Sequence, residues 1–414
     1  MVRQNSDIKI LLVGEVSSIH TGKYLAMLKG LGYEVQLFSN GPNAYQDEHI
    51  ADMVVYVPHI SHSPVRGNCL VMRVLGWRVA LVRPVRHTFL KILRMARFVY
   101  RSRRAPFDLL AVIKDWRPDV VISLKMQDDG YVAAAAKMAA GDDFPPWLHF
   151  IWGTDIELFA KDADLKGAHV PRIRQVLEHC DYLLADTDRD IRAAQDYGFR
   201  GRSFGKQIAQ GGFVVEEIEG LRGQPFEARP VILVKGRQGG HVGKGMQILE
   251  ALHELRDELQ GFEVKIILAT PDVQARALEY SQSDGIDYEC LGHLAYDDLI
   301  DLFGRARVAI SATDIDGTPG FLLEAMAYGA LPVHSDMVSI REWVDDGVNG
   351  LLFPVDDREA LKGAIMRGLC DEKLFDAALQ CNMVKIMDEA DAQKIRCDTQ
   401  DFITTILKDV KSDD

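Results

Sequence analysis

Short apolar runs recur along the chain, each followed by a polar or glycine-marked break and then by a stretch of helical periodicity. KILLVG (Lys9–Gly14), EVQLFS, VVYVP, VVISL, WLHFIW and YLLAD are continuous enough to be strands covered on both faces. A helix over roughly Thr21–Gly30 follows the first run, with Gly32 just past its end. Around Gly201–Pro230 the alternation breaks: RGRSFGKQIAQGGF and LRGQPFEARP are rich in glycine and polar residues and mark a domain end and a linker. Alternation restarts with VILVKG, a helix from about Lys244, FEVKIILA, a helix, YECLG, a helix over Tyr296–Arg305, VAIS, another helix, LPVHS and a final run of helices. The pattern predicts an α/β protein of two tandem doubly wound, Rossmann-like domains. Their bounds are 1–205 and 230–385, with a linker at 206–229 and a helical segment at 386–414. Open sheets of this kind bind ligands beyond the carboxyl ends of their strands, and with two of them the expected site is the interdomain cleft.

Composition narrows the class. A chain of 414 residues is too long for one small core, which agrees with two domains. The net charge of −13 argues against nucleic acid as a partner. Six scattered cysteines without a CxxC pair fit reduced thiols in a cytoplasmic setting better than a disulfide frame or a zinc site. The N-terminus has no apolar core suited to a signal peptide, and no apolar run approaches the roughly 20 residues that span a bilayer. The charge is uneven, however. Met53 to Phe107 contains no Asp or Glu but carries eleven Lys and Arg. In LRMARFVYRSRR, Arg94, Arg97, Arg101 and Arg104 interleave with apolar residues at roughly helical spacing. That pattern suits docking on an anionic membrane surface, or else a solvated face or a contact with the other domain.

The stretch after VAIS holds the main candidate chemistry. Read alone, Asp314-Ile315-Asp316-Gly317-Thr318 is the signature of a magnesium phosphatase, with Asp314 as nucleophile and Asp316 as acid–base. Too few residues follow Asp316 for that fold, and Asp345-Asp346 sits too close to complete its site. The longer pattern is more specific. Asp316 and Glu324 bracket seven residues, and EAMAYGALPVHSD and NGLLFP follow. From about Ala312 to Asp357 this resembles the C-terminal domain of the retaining nucleotide-sugar glycosyltransferases of family 4 (glycosyl transferases group 1), which have the GT-B fold. Asp316 stands where Glu is the commonest first acid, and Gly-Thr-Pro replaces Gly-Phe-Gly.

The residues fit that chemistry. Gly317, Thr318, Pro319 and Gly320 let the backbone approach a ligand. They lead into the N-terminus of a helix over Phe321–Tyr328, whose free N–H groups favour phosphate. Gly329 suits the position after its last turn. Glu324 can accept hydrogen bonds from two ribose hydroxyls. A solvated helix glutamate is the alternative, but Leu322, Leu323, Ala325 and Met326 make a poor setting for one. Asp316 lies ahead of the helix, near where the sugar ring would be. VILVKGRQGGHVGKG resembles the family's second element, which implies that Arg237 and Lys244 bind the donor pyrophosphate; two surface cations beside a flexible loop is the alternative. It is not a Walker A loop, because Gly245 follows the lysine where Ser or Thr belongs. YECLGHLAYDDLIDLF resembles the strand and turn beside the nucleobase, which implicates Gly292 and His293.

The first half resembles the family more weakly. VGEVSSIHTGKYLAMLKGLGYEV is similar to a common opening, which implies that Gly14, Ser18, His20, Thr21 and Gly22 face the cleft, with His20 contacting sugar or acceptor. A lone loop histidine can equally be a turn residue. HFIWGTDIELF is similar to another strand end, with Trp152 where His is usual. Asp155 is then the nearest carboxylate of this domain to the reaction, or else the cap of the following helix. SLKMQDDG offers Lys125 at a further strand end.

The resemblance implies a hexosyltransferase moving a sugar from a UDP- or GDP-sugar to an acceptor hydroxyl with retention of configuration. It implies no metal and no other cofactor. The expected acceptor is a glycan or lipid-linked glycan of bacterial envelope or capsule synthesis, reached from the cytoplasmic face of the membrane. The segment 386–414 is expected to pack back on the first domain. A non-transferring GT-B binding protein, a GT-B sugar epimerase and the phosphatase remain as alternatives.

Overall fold

The structure, a computed structural model, describes residues 4–39, 54–56, 103–209, 211–219, 224–240 and 243–413. Of the basic segment, Arg94, Arg97 and Arg101 lie outside the described residues. Arg104 is exposed, with its Nε 3.8 Å from Asp108 Oδ1. The chain forms two compact units. One comprises Met1–Ala185, Asp190–Gln210 and Arg396–Asp414, the other Asp186–Arg189 and Gly211–Ile395.

Among the described residues, the first unit has seven strands: β1 (Lys9–Val13), β2 (Glu34–Phe38), β3 (Val55–Tyr56), β4 (Val120–Leu124), β5 (Trp147–Ile151), β6 (Tyr182–Ala185) and β7 (Arg202–Lys206). Their order is β3-β2-β1-β4-β5-β6-β7, with every pairing parallel. Parallel strands need helical crossovers that cover both faces, and β4 and β5 are accordingly buried at every position. The helix Ile19–Gly30 begins two residues before its expected start, because Ser18 is its N-cap, accepting from the Thr21 amide at 3.5 Å. Gly32 follows at φ +86°.

β7 occupies most of RGRSFGK, at the expected end of the first domain. It is an edge strand, so its residues are half-buried and polar and carry no apolar run. A Cβ on Gly201 would meet the Asp181 carbonyl oxygen at 2.2 Å, so that glycine serves the turn into the strand. The last helix, Ala392–Asp413, contributes Arg396 onward to this unit. Phe402 stacks on Phe204 of β7 (4.6 Å), which stacks on Tyr182 of β6 (5.5 Å). Thr399 faces Gln207 and Met27, and Asp409 takes Tyr182 Oη and Arg202.

Among its described residues the second unit has six strands: β8 (Val231–Lys235), β9 (Glu263–Ile267), β10 (Tyr288–Cys290), β11 (Ala306–Ser311), β12 (Leu331–Ser335) and β13 (Leu351–Phe353). Their order is β10-β9-β8-β11-β12-β13, again all parallel. The helices Gly245–Glu254, Tyr296–Arg305 and Gly320–Tyr328 follow β8, β10 and β11. The strand β13 arises from NGLLFP. Fully buried Asn349 donates to the Trp343 carbonyl and to Asn382 Oδ1, fixing the turn that leads into it.

One buried cation ties this unit together. Arg229, fully buried, donates from Nη1 to the carbonyls of Gly329 (2.8 Å) and Ala306 (3.2 Å) and from Nε to that of Gln224 (2.8 Å). It joins the start of β8 and β11 to the carbonyl end of the helix Gly320–Tyr328, where a positive charge is favoured. Changing Arg229 to Met leaves those carbonyls without their donor and is expected to cost about 3 kcal/mol or more. Urea unfolding followed by tryptophan fluorescence measures it; an unchanged midpoint would contradict this role.

Candidate functional site

In the second unit, Arg237, Lys244, Asp316, Glu324, Gly292 and His293 all stand beyond the carboxyl ends of β8, β10 and β11. The loop after β8 is compact. Its antiparallel bridge joins Gln238 to Lys244, and the Gly245 amide donates to the Arg237 carbonyl (2.9 Å). A Cβ at Gly243 would lie 2.3 Å from the Arg237 carbonyl oxygen, and one at Gly245 would lie 2.7 Å from Gly236. Bulkier residues at either position would force this loop open. Gln238 Oε1 accepts the Met246 amide in the first turn of the following helix (3.0 Å). Arg237 is exposed. Lys244 Nζ lies 3.0 Å from Asp314 Oδ1 and 3.8 Å from Asp356 Oδ1. Asp314 therefore pairs with Lys244. Among the described residues, no group of three or more His, Cys, Asp or Glu could hold a metal ion.

The acidic loop after β11 is held from several sides. Asp316 Oδ1 accepts the Gly317 amide (2.9 Å), and the Asp316 carbonyl accepts from Ser339 Oγ (2.8 Å) and Arg189 Nη1 (2.9 Å). Thr318 donates its amide to Asp186 Oδ2 and its hydroxyl to the Asp186 carbonyl, while Trp343 Nε1 donates to Thr318 Oγ1. The helix then starts at Gly320, one residue before the expected start. Its N-cap, Pro319, makes no side-chain cap bond. It closes at Gly329 with φ +88°, as Gly329 and Ala330 amides both reach the Ala325 carbonyl. Glu324 is half-buried. Burial above all raises the pKa of both Tyr296 and Tyr328, whose Oη atoms are 3.3 Å apart; that contact raises Tyr296 further but lowers Tyr328, and the Glu324 charge raises both. Gly292 and His293 are exposed at the end of β10.

Lys235 was not among the expected site residues. It ends β8, and its Nζ lies 3.8 Å from Asp316 Oδ2, with both side chains mostly covered. The clue was a lysine closing the apolar run VILVKG, where a solvated strand end is the ordinary reading.

In the first unit, the strand ends of β1, β4 and β5 gather a second polar cluster. Lys125, at φ +57°, reaches Glu15 Oε2 (2.7 Å) and Asp129 Oδ2 (3.9 Å). Burial alone would lower the Lys125 ionisation, but Asp129 and Glu15 raise it. Burial drives Asp129 well above the usual carboxylate range. Asp155 does not cap the next helix. Its Oδ2 accepts the amides of Met126 (2.8 Å) and Trp152 (2.9 Å), and burial outweighs those bonds to raise its pKa to about 7. The His20 ring is exposed and meets Trp152 edge-on at 5.6 Å. Thr21 and Gly22 are buried in the helix, and the Thr21 side chain packs under Gly14, where a Cβ would lie 3.1 Å from it. Ser18 is occupied as the N-cap. Glu15 and Asp129 were not singled out from sequence, since nothing local distinguishes them from loop acids.

Comparison with known proteins follows this geometry. Residues 229–371 match the family described as Glycosyl transferases group 1, a span that includes the DIDGT stretch itself. Over 165 residues the chain is 29% identical to a phosphatidyl-myo-inositol mannosyltransferase of Mycolicibacterium smegmatis, covering 37% of this chain and 39% of that protein. The chain thus spans about two-fifths of that relative's length. Sucrose-phosphate synthase from Thermosynechococcus elongatus superposes with a TM-score of 0.67 over 97% of this chain and 99% of its own, at 13% identity. Anabaena Alr3699/HepE, solved with UDP and glucose, superposes with a TM-score of 0.64 over 96% and 100%, also at 13% identity. The α/β fold of two parallel sheets is shared with these proteins over nearly the whole chain.

Proposed function

We propose that the protein transfers a sugar from a UDP- or GDP-sugar to an acceptor hydroxyl with retention of configuration, a reading supported by the match of residues 229–371 to the group 1 glycosyl transferases. The observation that carries this reading is the placement of Arg237 and Lys244 after β8 beside the Asp316–Glu324 helix after β11, on adjacent strands of one sheet. Arg237, Lys244 and the amides at the start of the helix Gly320–Tyr328 take the diphosphate. Glu324 takes the ribose hydroxyls and Asp316 a sugar hydroxyl. The bond from the sugar's anomeric carbon to the diphosphate oxygen breaks, and the acceptor oxygen bonds that carbon on the same face. The acceptor's proton passes to the departing phosphate. Arg237 and Lys244 stabilise the charge that develops there, the role a metal ion fills in other transferases.

The acceptor is assigned to the strand ends of the first unit, around Lys125, Trp152, His20 and Asp155. A glycan or lipid-linked glycan of envelope or capsule assembly suits this reading, with the basic segment around Arg94–Arg104 on the cytoplasmic face of an anionic membrane. Among the described residues no helix is long and apolar enough to cross a membrane.

Thermal stabilisation by UDP-, GDP-, ADP- and CMP-sugars, with and without EDTA, tests the donor reading on wild type and Glu324→Ala. The expected result is a rise with one nucleotide class that survives EDTA and is largely lost in Glu324→Ala. A rise only with Mg2+ and a phosphate analogue would overturn it in favour of the phosphatase. Turnover of donor without any acceptor, yielding an isomeric nucleotide sugar, would favour the epimerase.

A further inference from the structure

Three polar side chains share one face at the carboxyl end of the second sheet. In the parallel register Ser311 of β11 lies opposite His334 of β12. Ile310 lies opposite Val234, so Lys235, the next residue of β8, stands alongside Ser311. Register neighbours in a sheet point to the same face. Ser311 and His334 are each 1% exposed.

Hydrogen bonding fixes the state of His334. Its Nδ1 lies 3.0 Å from the Ser335 carbonyl, which can only accept, so Nδ1 carries a hydrogen. The nearby Ser335 hydroxyl donates to the Thr313 carbonyl and cannot supply that hydrogen. Burial holds the ring neutral at ordinary pH, with its pKa near 4. A neutral ring protonated on Nδ1 has a bare lone pair on Nε2. That atom and Ser311 Oγ are both buried without a hydrogen-bond partner. Buried polar atoms are almost always paired, so two orphans side by side require a reason.

Lys235 supplies it. Its ammonium carries three donors, and its ion pair with Asp316 Oδ2, at 3.8 Å, is longer than a hydrogen bond. His334 feels the charges of both Asp316 and Lys235. Two strand spacings, roughly 10 Å, separate the Lys235 and His334 backbones, a gap that the long lysine side chain and the ring can bridge between them. A donor without a close acceptor therefore stands near an acceptor without a donor.

We propose that Lys235 is a cation with two stations, and that His334, with Ser311, is the positioning element for the second. In the ligand-free protein Lys235 faces Asp316. When a sugar hydroxyl engages Asp316, Lys235 turns to His334 Nε2 and Ser311 Oγ, freeing the carboxylate without leaving a buried ammonium unpaired. The sugar's place at Asp316 rests on the function proposed above; the two stations of Lys235 can be measured without it.

Trace acetylation with acetic anhydride at pH 8, read at Lys235 by mass spectrometry, provides the test. Asp316→Asn removes the first station. The expected result is that Lys235 in Asp316→Asn stays about as protected as in wild type, because His334 takes it. Adding His334→Leu should raise labelling about 10-fold, the effect of one unit of lysine pKa. Adding His334→Gln instead, which keeps an acceptor near the Nε2 position, should restore protection. A melting temperature for each variant separates this from unfolding. Labelling in Asp316→Asn already as fast as in the leucine double variant would overturn the proposal, as would a glutamine variant that behaves like leucine. A protein that gives the expected labelling but no stabilisation by any nucleotide sugar would sink the donor reading and leave the two stations standing.

Discussion

Changing Asp316 to Asn is expected to lower kcat by about two orders of magnitude while leaving nucleotide affinity nearly unchanged. The asparagine keeps an oxygen where Asp316 Oδ1 now accepts the Gly317 amide, so the loop should retain its shape. The Ser339 and Arg189 bonds go to the backbone carbonyl and are untouched. What is lost is charge, which in the proposed reaction faces the sugar ring as it develops positive character. Steady-state kinetics of nucleotide release, paired with calorimetry of free UDP and GDP, separates the two effects. A variant with wild-type kcat would reduce Asp316 to a loop cap and remove the first acid from the reaction.

Changing Lys244 to Ala should weaken the binding of UDP or GDP by about 10- to 100-fold, the range for losing a hydrogen bond to a charged group. Added salt should narrow the gap between variant and wild type. The structure supplies an internal control of opposite sign. Asp314 holds the Lys244 ammonium at 3.0 Å and competes with phosphate for it. Asp314→Asn should therefore leave nucleotide affinity equal to wild type or raise it. In the phosphatase reading Asp314 is the nucleophile, and the same change would abolish activity. Calorimetry on the two variants discriminates: a loss of binding in Asp314→Asn as large as in Lys244→Ala would contradict the pairing.

The interior strands were legible because parallel strands covered on both faces are mostly apolar, as β1, β4, β5, β8 and β11 are apart from Lys9, Ser123, His149, Lys235, Arg307 and Ser311. The edge of the first sheet was not. RSFGK reads as a polar, glycine-rich break and not as a strand, because an edge strand carries little core and its apolar cover at Phe204 comes from Phe402, almost two hundred residues away in sequence. The site divides along the same line. Arg237, Lys244, Asp316 and Glu324 sit in local motifs whose spacing carries their chemistry. Lys235, Ser311 and His334 come together only through the register of three strands, and no local window holds them all. Glu15, Lys125 and Asp129 meet for a similar reason at the ends of β1 and β4. Asp155 was left between the reaction and helix capping; it makes no capping bond to the helix after it, and its carboxylate joins the chain after β4 to the chain after β5.

The stacked rings Tyr182, Phe204 and Phe402 also set an order of events during synthesis. The first unit is made first but lacks the cover of its edge strand until the chain has been translated beyond residue 402. The second unit, Gly211–Ile395 apart from one short segment, has emerged by then and can complete its own core. Domains usually mature in the order of translation. Here the half that leaves the ribosome first is the one that finishes last, and in the interval it exposes an aromatic sheet edge on which a chaperone, or a second unfinished chain, could settle.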